Sequence, residues 1–204
     1  NDDKIAWYEN IYRDCNGNGI ADTADITNGT SLDCNANGIP DECEITSGTE
    51  FDCNGNGVPD SCELLGTRYC TASANSSGLP GRLTIIGSDL LSQNDVTLTV
   101  CQLPIQSFDI FITSRTPASI HTGGFSQGTL CVAGAVGLYV GPGQIVSSGT
   151  IGAVSLPIDL AAMPTPTGLV AATTFSTWYF QLWYRDTNPA PTSNFTDAVS
   201  VTFQ

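Results

Sequence analysis

The sequence predicts a mainly β protein, in which a short repeat array is followed by an antiparallel β-sandwich with a jelly-roll-like or immunoglobulin-like layout. Residues 70–204 alternate short apolar runs with turns rich in Gly, Pro, Ser and Asn, and no stretch among them has a convincing helical period. Residues 14–63 instead repeat a twelve-residue phrase at a fixed spacing. We therefore predict three segments: residues 1–13 as a short helix or an exchanged strand, residues 14–69 as three repeats, and residues 70–204 as the sandwich.

The charge of the chain is strongly negative and unevenly spread. The chain has 20 acidic residues against 6 Lys and Arg, a formal net charge of −14. Residues 1–64 hold 14 of the acids and two of the bases, so this part alone carries a net charge of −12. Such a charge repels nucleic acid and anionic membrane surfaces, which argues against both as partners. No apolar run approaches the roughly 20 residues that a membrane span needs.

Three copies of one phrase carry most of this charge. They read DCNGNGIADTAD, DCNANGIPDECE and DCNGNGVPDSCE, and they begin 19 residues apart at Asp14, Asp33 and Asp52. Each has oxygen-bearing side chains at positions 1, 3, 5, 9 and 12 and glycine at position 6, which is the spacing of an EF-hand calcium loop. Because Ca²⁺ prefers six to eight oxygen ligands, the pattern predicts about three bound Ca²⁺ ions.

The predicted ligands are the residues at positions 1, 3, 5, 7, 9 and 12, with position 7 acting through its backbone carbonyl. They are Asp14, Asn16, Asn18, Ile20, Asp22 and Asp25 in the first copy; Asp33, Asn35, Asn37, Ile39, Asp41 and Glu44 in the second; and Asp52, Asn54, Asn56, Val58, Asp60 and Glu63 in the third. Only the first copy ends in Asp, which is one methylene shorter than Glu. We therefore expect this loop to bind calcium most weakly, or to favour the smaller magnesium ion.

Two other interpretations of the repeats are weaker. Asp, Asn and Gly also cluster in ordinary solvated turns, but three matches in register argue against chance. Zinc is disfavoured because eight or nine residues lie between neighbouring cysteines of the second and third copies and no histidine is near. Only seven residues separate successive loops, too few for two flanking helices. The connectors predict only a thin apolar seam, formed by Ile20, Ile26, Leu32, Ile39, Ile45, Phe51 and Val58, so metal and disulfides must stabilise the array.

The phrase D-C-N-x-N-G-[IV]-P-D-x-C-E resembles thrombospondin type 3 repeats and the related dockerin-type calcium loops of secreted bacterial proteins. This resemblance implies loops that bind calcium and stiffen an extracellular segment; dockerins also bind cohesin receptors. Three cysteine-bearing loops at a short period favour the thrombospondin-like version. The stretches RYCTASANSSG, GTLCVAG, FQLWYRD and SNFTDAVSVTF resemble a domain, without an assigned activity, that follows such repeats in secreted proteins of environmental bacteria.

The even number of cysteines, eight, predicts disulfides and an oxidising, extracellular compartment. The thrombospondin resemblance implies that neighbours pair in order: Cys15–Cys34, Cys43–Cys53, Cys62–Cys70 and Cys101–Cys131. Ala24 replaces the second cysteine in the first copy, which agrees with a Cys15–Cys34 bond. The alternative is pairing within loops, Cys34–Cys43 and Cys53–Cys62, which leaves Cys70 to reach Cys131.

One predicted strand near the end of the chain has an aromatic pattern. Strand alternation places Trp178, Phe180, Leu182 and Tyr184 on one face and Tyr179, Gln181, Trp183 and Arg185 on the other. The first face is expected in the core. The second is amphipathic and offers a sugar-binding platform, although aromatics packed between sheets or under a loop are the commoner arrangement.

We predict no catalytic residue, and the chain is not expected to be an enzyme. Gly124, Ser126 and Gly128 spell G-x-S-x-G near the single histidine, His121, but they lie between predicted β-strands and no helix follows. No pair of carboxylates stands out after residue 64. Three N-x-S/T sequons lie at Asn28, Asn75 and Asn194.

These features predict an extracellular calcium-binding structural module that is a subunit of a surface layer, matrix or filament. Its expected partner is a second copy of the chain, or an extracellular matrix or glycan. The alternative is a carbohydrate-binding or cohesin-binding adaptor of a secreted enzyme system. Residues 1–13 bear on assembly because their apolar side chains need a cover, either locally as a helix or as a strand on the next subunit. Those side chains are Ile5, Trp7, Tyr8, Ile11 and Tyr12.

Overall fold

The computed structural model describes residues 13–123, 126–187 and 190–204, and it divides the chain into two compact units, residues 1–63 and 64–204. Strands make up 38% of the described residues and helices 10%, which confirms the mainly β prediction. The helix or exchanged strand expected for residues 1–13 lies outside the described residues, apart from Arg13. The first strand already begins at Thr67, three residues before the expected start of the β domain.

A short helix begins within each of the three copies in the first unit. These helices are α1 (Asp22–Asn28), α2 (Asp41–Ser47) and α3 (Asp60–Glu63). Each begins at position 9 of its copy, where an acidic first turn is favoured by the positive end of the helix dipole. Helices α1 and α2 are capped by Gly29 and Gly48, whose φ angles of 72° and 74° are left-handed. The predicted apolar seam is at best half-buried, and Leu32 is 63% exposed.

The second unit is built from β-strands. Those in its described residues are β1 (Thr67–Tyr69), β2 (Arg82–Gly87), β3 (Val96–Cys101), β4 (Phe108–Ser114), β5 (Thr116–His121), β6 (Thr129–Ala133), β7 (Gly137–Leu138), β8 (Ile145–Ser147), β9 (Val154–Ile158), β10 (Met163–Thr165), β11 (Gly168–Val170), β12 (Thr177–Asp186) and β13 (Thr192–Thr202). Every recorded pairing between these strands is antiparallel, as predicted.

Two larger sheets share the main core of this unit. The six-stranded sheet has the order β1-β13-β12-β4-β7, with β8 beside β4, and the three-stranded sheet has the order β2-β3-β9. The pairs β5–β6 and β10–β11 form separate two-stranded sheets. The core cluster takes Leu83 and Leu98 from the smaller sheet and Phe111 from the larger one. The predicted inner face of β12 is confirmed, since these side chains are at most 2% exposed: Trp178, Phe180, Leu182 and Tyr184.

The opposite face of β12 is partly covered by β6. Gln181 is fully buried there: its side-chain oxygen accepts a hydrogen bond from the Cys131 amide, and its side-chain nitrogen donates to the carbonyls of Thr129 and Thr196. The buried amide is therefore satisfied by neighbouring backbone groups. Tyr179 and Trp183 stay half-exposed on this face.

The disulfides correct the predicted pairing. Cys15 bonds to Cys43, Cys34 to Cys62 and Cys70 to Cys131, no described cysteine is free, and Cys53 and Cys101 are also disulfide-bonded. Both the in-order pairing and the pairing within loops are therefore wrong for the array, although the Cys70–Cys131 bond of the second alternative is present. The physical reason is the helix at position 9, which brings the position-11 cysteine against position 2 of the preceding loop. Ala24 stands at position 11 of the first copy, where the other two copies have a cysteine.

Within residues 13–123, 126–187 and 190–204, no helix is long and apolar enough to cross a membrane.

Candidate metal centre

The carboxylate at position 1 organises the start of each loop. In the second copy, Asp33 accepts hydrogen bonds from the backbone amides of Asn37 at 3.1 Å and Gly38 at 2.9 Å. Asp14 and Asp52 do the same in their copies. The position-6 glycine makes this turn possible because its φ is 85–86° in all three copies, a conformation that other residues rarely adopt.

The asparagines at positions 3 and 5 continue the turn. In the second copy the Asn35 side-chain oxygen accepts from the Asn37 amide at 3.0 Å, and the Asn37 side-chain oxygen accepts from the Ile39 amide at 2.8 Å. The corresponding bonds recur in the other copies. Both asparagines and the position-7 backbone are thus held by local hydrogen bonds rather than by a packed core.

The acid at position 12 closes each loop. Glu44 accepts from the side-chain amides of Asn35 at 3.0 Å and Asn37 at 2.7 Å. Glu63 closes the third loop in the same way, at 2.9 and 2.7 Å. In the first loop, the Asn16 amide is 3.5 Å from Asp25, as expected for the shorter side chain. The structure therefore brings positions 3, 5 and 12 together in every copy.

The position-9 carboxylate is buried in all three copies. Asp22, Asp41 and Asp60 are at most 2% exposed, and each accepts from the backbone amide at position 2 of its own loop. The second carboxylate oxygen of Asp41 has no hydrogen-bond partner among the described residues. A buried carboxylate oxygen without a donor is costly unless a cation lies near, so this group fits a cation-binding loop.

The donor set suits a hard cation rather than zinc. Cys15, Asp22 and Cys43 place ligand atoms within 4.8 Å of one another. However, the two cysteines are bonded to each other, and a disulfide offers no thiolate. What remains is oxygen from carboxylates, amides and backbone, the donors that Ca²⁺ prefers. Arg13 lies 4.0 Å from Asp22, and residues 14–63 contain no Lys or Arg that could balance their acids.

An apolar groove lies on the outer face of the six-stranded sheet, where the sequence suggested a sugar platform. Its volume is about 340 Å³, and its lining comprises Ile110, Ile112, Val136, Leu138, Trp183 and Phe195. The Phe108 ring lies edge-on to the Trp183 ring, with 6.4 Å between the two ring centroids. The Arg185 guanidinium carbon lies 5.1 Å from the centroid of the Trp183 ring. Because all six lining side chains are apolar, they offer the hydroxyl groups of a sugar almost no hydrogen-bond partners, and the groove suits apolar groups better.

The G-x-S-x-G stretch is only partly described, since Gly124 lies outside the described residues. The Ser126 hydroxyl donates to the Ser193 carbonyl at 2.8 Å. His121 pairs through its Nδ1 with the Thr129 hydroxyl at 3.0 Å. The Ser126 hydroxyl and the His121 ring thus form these hydrogen bonds with two different residues and not with each other.

Two acids with informative surroundings were not singled out from the sequence. Asp109 is fully buried on β4. Strand alternation could have indicated this, because Asp109 shares a face with Phe111. Glu42 lies beside the first loop, where its carboxylate accepts from the Asn16 side chain at 3.1 Å. No sequence signal indicates this contact, because it joins neighbouring repeats through space.

Comparison of the chain with protein-family models, with curated proteins and with solved structures finds no match.

Proposed function

We propose that this chain is an extracellular calcium-binding structural module and a subunit of a surface layer, matrix or filament. In this proposal three EF-hand-type loops stiffen residues 14–69, and residues 70–204 form an antiparallel β-sandwich with a jelly-roll-like or immunoglobulin-like layout. The observation that carries it is the convergence, in all three copies, of the position-3, -5 and -12 side chains inside a glycine turn organised by the position-1 carboxylate. The shared core of the two larger sheets supports the sandwich.

Calcium would supply positive charge at the centre of each loop. The chain's own groups would do the rest: the position-1 carboxylate fixes the turn, the position-12 acid closes it, and the position-9 acid anchors the following helix. Without a cation each loop holds three carboxylates close together, and their repulsion opposes folding. Cation binding therefore stabilises the array by mass action. The disulfides support an oxidising, extracellular setting.

Calorimetry and hydrogen exchange, with calcium and with a chelator, test the metal part of this proposal. We expect calcium binding and slower exchange in residues 14–63, with the β domain equally protected in both conditions. The β domain provides an internal control because it contains none of the predicted ligands. If calorimetry detects no binding at millimolar calcium, the proposal fails.

Assembly is tested separately, by light scattering and electron microscopy on the intact chain and on a chain lacking residues 1–13. We expect assemblies that depend on calcium, because without the metal the acidic array no longer presents its apolar segment at a fixed distance. The truncation should abolish these assemblies because it removes the segment itself. A monodisperse monomer in every condition would remove assembly and leave a solitary calcium-binding module.

A further inference from the structure

Glu42 brings a carboxylate from the second repeat to the first loop. It is the second residue of α2, and its Oε1 accepts hydrogen bonds from the Asn16 side-chain amide at 3.1 Å and from the Ser31 hydroxyl at 2.5 Å. Asn16 is position 3 of the first loop, and the same amide also lies 3.5 Å from Asp25. Two carboxylates from different repeats thus meet at one predicted ligand.

A covalent bond holds Glu42 in this place. The next residue, Cys43, is bonded to Cys15, which is position 2 of the first loop, and their Cα atoms are 5.9 Å apart. Ser31 is buried and supports the same Glu42 oxygen. The contact between Glu42 and Asn16 is therefore held by a neighbouring disulfide and by a hydrogen bond from Ser31.

The charges around Glu42 are not balanced within the protein. The carboxylates of Glu42 and Asp25 lie 3.1 and 3.5 Å from the same Asn16 side-chain amide, and no Lys or Arg of the described residues forms an ion pair with Glu42. A bound cation would neutralise both carboxylates.

The contact between the first and second copies can be compared with the contact between the second and third copies, and the acid before the cysteine occurs only in the former. A second disulfide, Cys34–Cys62, joins the second loop to α3 with the same sequence separation of 28 residues. The residue before Cys62 is Ser61, so the third copy has a hydroxyl residue at the position that Glu42 occupies in the second copy. The second loop ends in Glu44, whereas the first ends in the shorter Asp25. The extra carboxylate therefore accompanies the loop whose own last ligand is short.

We propose that Glu42 is a carboxylate ligand of the first cation site, supplied by the following repeat to complement Asp25. This inference rests on the proposed calcium-binding function. It changes the expectation that the first loop is the weakest of the three. It also links two sites, because Glu42 belongs to the helix that begins at Asp41, the position-9 ligand of the second loop.

Amide NMR can follow each loop separately. The position-6 glycine amides of Gly19, Gly38 and Gly57 each donate to the position-1 carboxylate of their own loop, at 2.8–2.9 Å. Their resonances should therefore move when that carboxylate binds calcium. A calcium titration of the isotope-labelled full chain gives three midpoints, one for each loop.

Glu42→Gln removes the proposed ligand while keeping the shape of the side chain. We expect the Gly19 midpoint to rise about tenfold or more, in the range typical of metal-site partners, with a much smaller change at Gly57. Glu50→Gln is the matched control, because it removes the same charge from the same unit at a residue with no recorded side-chain contact to Asn16. In this control the Gly19 midpoint should stay unchanged. Adding Asp25→Glu to Glu42→Gln should recover part of the loss.

Two results would overturn the inference: a Gly19 midpoint in Glu42→Gln equal to that of Glu50→Gln, or equal shifts of all three midpoints, which would indicate a general effect of charge or folding. The failure of the proposed function looks different. In that case no glycine resonance of the wild-type chain responds to calcium at all.

Discussion

Replacing Asp109 by Asn should change how the stability of the β domain depends on pH. Asp109 is fully buried on β4, where the Ser107 hydroxyl donates to one carboxylate oxygen at 2.5 Å and the other oxygen has no hydrogen-bond partner among the described residues. Burial raises the pKa of Asp109 from 3.8 to about 6, although hydrogen bonds from Ser107 and the Ser148 backbone oppose the shift. The folded chain therefore keeps the Asp109 carboxyl protonated up to a higher pH than the unfolded chain does.

The size of the effect follows from the pKa difference between the folded and unfolded chains. A rise of about two pKa units corresponds to about 3 kcal/mol of unfolding free energy. Because the folded-state pKa is the higher one, this stability is fully present below pH 3.8 and is lost as the pH rises through about 6. An Asn side chain does not titrate. The Asp109→Asn variant should therefore gain about 3 kcal/mol relative to the wild type between about pH 3.5 and 7.

Urea unfolding of both proteins, followed by tryptophan fluorescence at several pH values in a chelator, measures this difference. The chelator keeps calcium binding out of the comparison, and changes that the two proteins share cancel. A constant difference in unfolding free energy across the pH range would refute the reasoning, because it would mean that the Asp109 carboxyl titrates alike in the folded and unfolded chains.

Two other predictions concern single side chains. Glu44→Gln should raise the calcium midpoint of Gly38 by about tenfold or more, since it removes the acid that closes the second loop; an unchanged midpoint in the NMR titration would contradict that role. When the chain is expressed in a glycosylating host, peptide mapping should find a glycan only at Asn28, which is exposed. Asn75 and Asn194 are at most 1% exposed and hydrogen-bonded, so a glycan on either in the folded protein would contradict the structure.

The features that sequence predicted well are local ones. Positions 1, 5 and 6 of a loop are joined by hydrogen bonds that span at most five residues, so the spacing of the letters carries their geometry. The faces of β12 follow from strand alternation in the same way. The hydrophobic contrast between Phe180 and Arg185 is visible in the sequence, and their burial agrees with it.

The features that sequence could not give depend on contacts through space. Several cysteine pairings fit the same spacing, and the choice among them is made by the helix at Asp41, which directs Cys43 toward the preceding loop. Gln181 was placed on an amphipathic outer face, but β6 covers it and satisfies its amide. In the sequence, Glu42 looks like any solvated surface acid. Its contact with Asn16 depends on the disulfide of the next residue, Cys43, which the sequence does not determine.

The overlapping disulfides also limit how far the array can be stretched. A chain of 47 residues, the distance from Cys15 to Cys62, reaches about 165 Å when fully extended. With both bonds intact, the shortest covalent path crosses from Cys15 to Cys43, runs back nine residues to Cys34, and crosses again to Cys62. That path is about 45 Å long at full extension. Under tension, removal of metal can therefore extend the segment from Cys15 to Cys62 only to about 45 Å. Extension beyond this length requires reduction of the disulfides.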